Sequence, residues 1–211
     1  MKKGIIFDLD GTLWDSCPQI TESWNIALEA YEDIDFKLTL EDIRSVMGKT
    51  PKEIALAIFK DVKEERAMEI MEKCFEEEEK FIKEKGGVLY PKLLETLDEL
   101  KKDYDLFIVS NCQEGYIEAF LDFYKIHNYF VDYENAGRTK LSKDKNIKLV
   151  VERNKLDKVL YLGDTEGDYN AAKLAGVPFV HAKYGFGTIK DETYFINSFE
   201  EIKDVAHEIL K

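Results

Sequence analysis

The sequence predicts an α/β protein with a doubly wound parallel sheet and an inserted helical domain. This prediction depends on two observations. Short apolar runs alternate with amphipathic stretches along most of the chain, which is the alternation of strand and helix that parallel sheets show. From about residue 16 to 85, in contrast, helical patterns follow one another with no convincing strand between them.

The predicted strands are short and end in polar or small residues. Their length suits buried parallel strands better than helices. They cover residues 4–7, 106–109, 159–162 and 177–180, and the main amphipathic helices between them cover residues 93–101, 116–124, 146–153 and 169–174.

The helical segment divides the chain into two predicted domains. Residues 1–15 and 86–211 form the core domain, and residues 16–85 form a helical cap. Within the cap, Thr50-Pro51 followed by Glu53 has the residues of a capped helix start. The glutamates of residues 76–79 are interpreted as a solvated helix face, because four adjacent side chains on a helix point in different directions.

Charge and composition exclude several classes of protein. The 211 residues are 45% hydrophobic, which is enough for a core, and 30 basic against 43 acidic residues give a net charge of −13. No basic excess is present to neutralise a nucleic-acid backbone. The same charge would repel an anionic substrate at long range, so a phosphate pocket has to be locally positive.

We expect a cytoplasmic protein that does not bind a membrane. The N-terminal apolar run is too short for a signal peptide, and no run reaches the roughly 18 residues of a membrane span. Cys17, Cys74 and Cys112 are widely spaced and odd in number, which indicates reduced structural thiols.

The strongest chemical signal is an acidic hexapeptide, FDLDGT, where the first strand ends. Residues two apart in an extended chain share a face, so Asp8 and Asp10 can approach one point while Phe7 and Leu9 pack elsewhere. Gly11 would permit a tight backbone exit. The pattern indicates a functional site.

A second acidic cluster, GDTEGD at residues 163–168, follows the strand of residues 159–162. Ligands of open α/β sheets bind beyond the carboxyl ends of strands, so Asp164 and Asp168 are expected near Asp8. Converging carboxylates resist ionising together unless a cation binds. The ligands are all oxygen, which favours Mg²⁺.

Ser110 and Asn111 end the strand of residues 106–109 and can donate hydrogen bonds to a phosphate. The local positive charge would come from Lys143, which precedes an apolar helix pattern. Lys140 remains an alternative for that lysine.

In this order the four elements resemble the haloacid dehalogenase superfamily of phosphotransferases, across the whole chain. The first motif of that family, DxDGT, is found at residues 8–12, and the fourth, GDxxxD, at residues 163–168. The second and third motifs are single residues, Ser110 and Lys143. The third departs from the family's frequent Lys-Pro pair.

The resemblance implies roles for these residues. Asp8 would be the nucleophile, ionised at pH 7 if its pKa has the ordinary value of about 4. Asp10 would protonate the leaving alcohol and then activate water. Mg²⁺ would be held by Asp8, the Asp10 carbonyl and Asp164, and Asp168 would ligate through water or orient Lys143.

The resemblance also implies that Ser110, the Asn111 backbone N–H and Lys143 bind the phosphate oxygens. The cap would select the leaving group, so Lys49, at the start of a cap helix, is a candidate for substrate contact. Residues 14–18 and 86–89 would serve as hinges.

Three functions remain open. The first is a phosphatase of a small phosphorylated metabolite, resembling the phosphoglycolate phosphatase group in its DGTLxDS segment at residues 10–16. The second is a sugar phosphomutase on the same scaffold. The third is a signalling receiver that carries a phosphoaspartate, although that would be one compact domain of roughly 120 residues. The chain is expected to be a monomer or a homodimer.

Overall fold

The computed structural model describes residues 1–190 and 192–211 and has a six-stranded sheet at its centre. The strand order is β5-β4-β1-β6-β7-β8, and every neighbouring pair is parallel. The strands are β1 (Lys3–Phe7), β4 (Asp105–Ser110), β5 (Phe130–Asn135), β6 (Lys158–Gly163), β7 (Phe179–Ala182) and β8 (Tyr194–Ile196). The chain order reverses at β1, which lies between β4 and β6.

Helices cover both faces of this sheet. They are α5 (Leu93–Leu100), α6 (Tyr116–Tyr124), α7 (Ala136–Thr139), α8 (Lys143–Asn154), α9 (Glu166–Ala175) and α10 (Ile202–Ile209). Strand β1 shows why two layers form: Ile5 and Phe7 belong to one apolar cluster, and Ile6 belongs to another. Side chains alternate across a strand, so an unbroken apolar run supplies both faces.

Four helices lie in the segment that the sequence assigns to a cap: α1 (Cys17–Leu28), α2 (Leu40–Val46), α3 (Pro51–Ile58) and α4 (Glu64–Lys85). Helix α4 packs against α1 and α3 within the segment and against α6 of the rest of the protein. Thr50 and Glu53 form the expected capping box at the start of α3. Among the described residues, no helix combines the length and apolarity needed to cross a bilayer.

The chain enters and leaves this helical segment through two short strands. Strand β2 (Trp14–Asp15) pairs in antiparallel fashion with β3 (Val88–Leu89), apart from the main sheet. The two segments interpreted as hinges therefore lie side by side. The division at residues 15/16 and 85/86 stays a proposal, which the short strands at both crossings support.

The predicted fold class is confirmed, but strand positions differ at the sheet edges. Within the six-stranded sheet, β7 begins two residues later than predicted, and β5 and β8 were not predicted. Both missed strands are edge strands and carry polar or exposed residues, such as Asp132 in β5 and Phe195 in β8. An edge strand is less completely covered, so its sequence lacks a continuous apolar run.

Because β1 lies at the centre of the sheet, shortening one of its buried side chains should greatly lower the free energy of unfolding. Ile6 is fully buried, so Ile6→Ala should lower the free energy of unfolding by about 2–5 kcal/mol through lost burial and a cavity. Val131→Ala in edge strand β5, where the side chain is half exposed, should cost less than about 1 kcal/mol. Urea unfolding of both variants checks this, and equal costs would contradict the assignment of β1 to the core.

Candidate active site

The site begins at Asp8, the first residue after β1. Its backbone N–H donates to the carbonyl of Leu162 in β6 at 2.8 Å. Phe7 pairs with Ile108 of β4 on one side and with Leu162 on the other. This register brings Ser110 and Asp164 to the same edge of the sheet as Asp8, at the point where the strand order reverses.

Lys143 lies beside Asp8. Its ammonium donates to Asp8 Oδ1 at 3.0 Å and to Asp168 Oδ1 at 2.5 Å, and all three side chains are buried. Lys140, the alternative, is exposed and ends α7. The structure therefore places Lys143, and not Lys140, at the site.

The turn before α8 fixes the position of Lys143, which is the first residue of that helix. The Thr139 hydroxyl donates to Oδ1 of Asn146 at 2.9 Å, and the amide of Asn146 donates to the Leu141 carbonyl. The buried side chain of Asn146 thus holds the α7–α8 connection in one geometry. No Lys-Pro pair is needed for this placement.

Asp168 uses both carboxylate oxygens within the protein. Oδ1 accepts from Lys143, and Oδ2 accepts from the backbone N–H and the hydroxyl of Thr165, forming the capping box of α9. Burial favours the neutral acid, but these donors outweigh it and lower the pKa of Asp168. The geometry is that of a fixed counter-ion for Lys143.

Asp164 differs because one of its oxygens has no partner among the described residues. Oδ2 accepts from the Phe186 N–H at 2.7 Å, whereas buried Oδ1 has no hydrogen bond within the described structure. Gly11 lies against this carboxylate: its φ is +79°, and a Cβ there would be 2.2 Å from Asp164 Oδ2. Only glycine fits this approach.

The carboxylates of Asp8, Asp164 and Asp168 form one acidic cluster, with an oxygen of each within 4.8 Å of the others. Burial, and then the charge of Asp168, raises the pKa of Asp8 to about 7. The ordinary pKa of about 4 assumed from the sequence leaves out this effect, because sequence does not show the depth of burial. Burial also raises the pKa of Asp164, with Asp168 and Asp8 adding to the effect.

Asp10 is held by three donors, all of which bond to one of its carboxylate oxygens. Its Oδ1 accepts from Trp14 Nε1, the Ser16 hydroxyl and the Tyr116 hydroxyl at 2.6–2.9 Å. Burial raises the pKa of Asp10, although the hydrogen bonds oppose that rise. Sequence reasoning missed these donors. Tyr116 gives no sequence signal, because it is more than a hundred residues away.

A small cavity of about 40 Å³ lies between the strand ends and the helical segment, with room for about three water molecules. Asp8, Asp10, Ser110 and Asn111 line it from the sheet side. The Asn111 amide donates to the Gly48 carbonyl at 2.9 Å, joining the sheet edge to the helical segment, while its buried Oδ1 has no partner in the described part of the chain.

Two predicted binding residues have other contacts here. The Ser110 hydroxyl accepts from the Cys112 N–H at 3.3 Å, and the Ser110 side chain still lines the cavity. Lys49 also lines it, but its ammonium donates to the carbonyl of Ser45 on the exposed side of the loop. The structure thus brings Ser110 next to Asp8 and gives the Lys49 ammonium a local partner.

Glu78 corrects the interpretation of residues 76–79 as solvated, since its side chain is buried and lines the cavity. It accepts from Trp24 Nε1 and, at 2.8 Å, from Gln113 Nε2. Burial is the main cause that raises its pKa to about 8. A sequence signal existed, because Glu78 continues an apolar stripe of α4 at helical spacing, formed by Met71, Cys74, Phe81 and Ile82.

Comparisons with known proteins show what the sequence and the fold are similar to. The sequence model of the family described as haloacid dehalogenase-like hydrolase matches residues 5–182. A curated relative, the phosphoglycolate phosphatase of Shigella boydii, is 28% identical over an alignment that covers 87% of this chain and 82% of that protein.

Solved structures share the fold over nearly the full chain. A predicted phosphoglycolate phosphatase from Haemophilus somnus superposes with a TM-score of 0.84 at 22% identity and covers 97% of each chain. CbbY from Rhodobacter sphaeroides, solved as a mutant with xylulose-(1,5)-bisphosphate, has a TM-score of 0.79 at 18% identity and covers 95% of this chain and 96% of that one. At these identities the likeness shows the fold alone.

The burial of Glu78 predicts a pH-dependent stability. Between its ordinary pKa of 4.5 and about 8, the unfolded chain releases the Glu78 proton and the folded protein keeps it. Folding stability is therefore lost as pH rises through this range, at about 1.4 kcal/mol for each pH unit. Between pH 5 and pH 8, the free energy of unfolding of Glu78→Gln should therefore rise by a few kcal/mol relative to that of wild type.

Urea unfolding at both pH values measures this difference. Glu76→Gln is the matched control, because Glu76 lies on the exposed side of α4 and pairs with Lys73, and it should show no such gain. A stability difference between Glu78→Gln and wild type that stays constant with pH would contradict the raised pKa.

Proposed function

Because this chain belongs to the haloacid dehalogenase-like hydrolase family, we propose that it is a magnesium-dependent phosphatase acting through an aspartyl-phosphate on Asp8. The prediction of a phosphoric monoester hydrolase is confirmed at the level of the family and its phosphatase relatives. The observation that carries the finer proposal is the contact of the Lys143 ammonium with Asp8 at 3.0 Å, at a sheet edge shared with Asp164 and Ser110.

In the first half-reaction, an Asp8 carboxylate oxygen attacks phosphorus and the bond from phosphorus to the ester oxygen breaks. Asp10 donates its proton to the departing alcohol. The raised pKa of Asp10 suits this role, because a buried carboxyl group holds its proton at a higher pH than an exposed one. The Trp14, Ser16 and Tyr116 donors fix the orientation of Asp10.

In the second half-reaction, a water molecule attacks the phosphorus of the aspartyl-phosphate. Asp10, now ionised, takes a proton from that water, and the bond between phosphorus and Asp8 breaks. Inorganic phosphate leaves, and Asp8 and Asp10 return to their first states. The same carboxyl group thus serves as acid and then as base.

The phosphate oxygens would bind to the Lys143 ammonium, the Ser110 hydroxyl and the Asn111 backbone N–H. Lys143 supplies the local positive charge that a net charge of −13 makes necessary. Burial alone would lower the pKa of Lys143, but Asp168 and Asp8 reverse the effect and raise it. The ammonium therefore stays charged while it contacts the transferring group.

The residues of the acidic cluster fit a magnesium ion. The donors are all oxygen, and within the described structure Asp164 Oδ1 is buried without a partner. Burial and the neighbouring carboxylates raise the pKa values of Asp8 and Asp164, which a bound cation would counter. Asp8, the Asp10 carbonyl and Asp164 would hold the ion. When bound, it supplies positive charge that stabilises the transferring phosphoryl group.

We propose that Asp168 acts mainly by orienting Lys143, the second of the two roles considered for it. Both of its oxygens already accept hydrogen bonds from Lys143 and Thr165. A direct bond to the ion would have to displace one of these donors. Placement of the ammonium is therefore the role that the contacts support.

A sugar phosphomutase is the second candidate. It would use the same nucleophile, acid and phosphate-binding residues, and a protein of this fold, CbbY, was solved with a sugar bisphosphate. A screen of phosphorylated metabolites that scores both released phosphate and isomerised product separates the two activities. A receiver module is disfavoured, because it would need neither the helices between β2 and β3 nor a held acid at Asp10.

A cytoplasmic location is also part of the proposal. The three cysteines, all within the described residues, are free thiols, which is typical of reducing compartments.

Purified protein should hydrolyse p-nitrophenyl phosphate with Mg²⁺, and EDTA should abolish the activity reversibly. Asp8→Asn removes the nucleophile and should lower kcat by more than about a thousandfold. Asp98→Asn, on the exposed side of α5, is the control and should retain wild-type turnover. Substantial activity of Asp8→Asn would refute the aspartyl-phosphate.

The roles given to Asp164 and Asp168 can be separated by titrating Mg²⁺ against phosphatase activity. Asp164→Asn should raise the half-saturating Mg²⁺ concentration by about 10–100-fold, because it weakens a ligand. Asp168→Asn should mainly lower kcat, because Lys143 loses its counter-ion. Equal shifts in the Mg²⁺ requirement would instead make Asp168 a ligand.

A further inference from the structure

We propose that Glu78 selects the leaving group of the substrate, and that this alcohol carries a hydroxyl or ammonium donor and no carboxylate. The inference deepens the proposed phosphatase function and rests on it. It assigns a substrate class, namely small phosphorylated polyols or amino alcohols.

Glu78 lies where a leaving group would have to bind. It extends from α4 into the cavity that Asp8 and Asp10 line from the sheet side. When a phosphoryl group is seated at Asp8, the rest of the ester has to occupy the space between the sheet edge and the helical segment. Ile20, Ile54 and Phe75 form apolar walls there, so Glu78 is a polar group to which a leaving group can bind.

Glu78 also has unused hydrogen-bonding capacity. Each carboxylate oxygen accepts one hydrogen bond from a neutral side chain, Trp24 on Oε2 and Gln113 on Oε1. A carboxylate oxygen can accept about two hydrogen bonds. Trp24 and Gln113 therefore hold Glu78 in place and leave it able to accept a donor from a ligand.

The charges around the cavity favour a cation over an anion on the leaving group. Among the described residues that line this cavity, Lys49 is the only basic one, and its ammonium donates to the Ser45 carbonyl. Lys143 is already engaged by Asp8 and Asp168. A carboxylate on the leaving group would be buried there without a cation, which is costly for an ionised group. A cation beside Glu78 favours the ionised form of its carboxyl group. An ammonium would supply the missing counter-charge.

The raised pKa of Glu78 agrees with this geometry, because it reports a buried carboxyl group whose neighbours are neutral donors and Asp10. The inference distinguishes this chain from the relatives named phosphoglycolate phosphatase, since phosphoglycolate ends in a carboxylate.

Three phosphate esters of equal length test the inference on the wild-type protein. Phosphoglycolate, 2-hydroxyethyl phosphate and 2-aminoethyl phosphate share a two-carbon leaving group and differ in the terminal carboxylate, hydroxyl or ammonium. We expect kcat/KM for phosphoglycolate to be at least about tenfold below that of the better of the other two. Comparing 2-hydroxyethyl phosphate with 2-aminoethyl phosphate shows whether the hydroxyl or the ammonium is preferred. Turnover of phosphoglycolate equal to or above both would overturn the proposal.

The variant Glu78→Gln assigns the selection to this residue. It should raise kcat/KM for phosphoglycolate relative to 2-aminoethyl phosphate by at least about tenfold, because the ammonium loses the carboxylate with which it pairs. Glu76→Gln, two residues away on the exposed face of α4, should leave that ratio at its wild-type value. An unchanged ratio in Glu78→Gln would overturn the role of Glu78.

Hydrolysis of p-nitrophenyl phosphate by wild type shows whether the phosphatase function fails or only the role given to Glu78. If wild type fails to hydrolyse it with Mg²⁺, the proposed phosphatase function fails, and the inference fails with it. If wild type hydrolyses it and also prefers phosphoglycolate, only the inference about Glu78 fails.

Discussion

The whole site depends on the ion pairs that the Lys143 ammonium forms with Asp8 and Asp168. Asp8, Asp10, Asp164 and Asp168 are all buried at one sheet edge, and such a concentration of carboxylates is costly without positive charge. Lys143 bonds to two of them, and one oxygen of Asp164 has no partner among the residues that the structure describes. The protein thus neutralises part of the charge itself and leaves a remainder that suits a divalent cation.

Much of this arrangement could be predicted from the sequence, because it follows from strand ends. Asp8 and Asp164 come directly after apolar runs, and parallel strands bring their carboxyl ends to one edge. The register of β1 with β4 and β6 then determines that Ser110 lies at the same level. These inferences need only the period of a strand and the topology of a doubly wound sheet.

Other parts depend on contacts between distant segments, which local patterns do not contain. Sequence left Lys140 and Lys143 open because the choice depends on how Asn146 folds the turn before α8. Tyr116 reaches Asp10 across the fold, and no spacing encodes that contact. The burial of Glu78 was visible in the helical stripe of α4, but the acidic residues around it obscured the pattern. The pKa of Asp8 depends on burial depth.

The antiparallel pairing of β2 with β3 has a consequence for how such proteins diversify. Because the two ends of the helical segment leave the sheet side by side, the segment replaces what could otherwise be a short turn after β1. Closing a longer excursion at fixed ends costs little, roughly 0.6 kcal/mol for each doubling of its length. Related proteins can therefore differ in these helices, and in the residues that face the cavity. The strand register that places Asp8 beside its neighbours need not change.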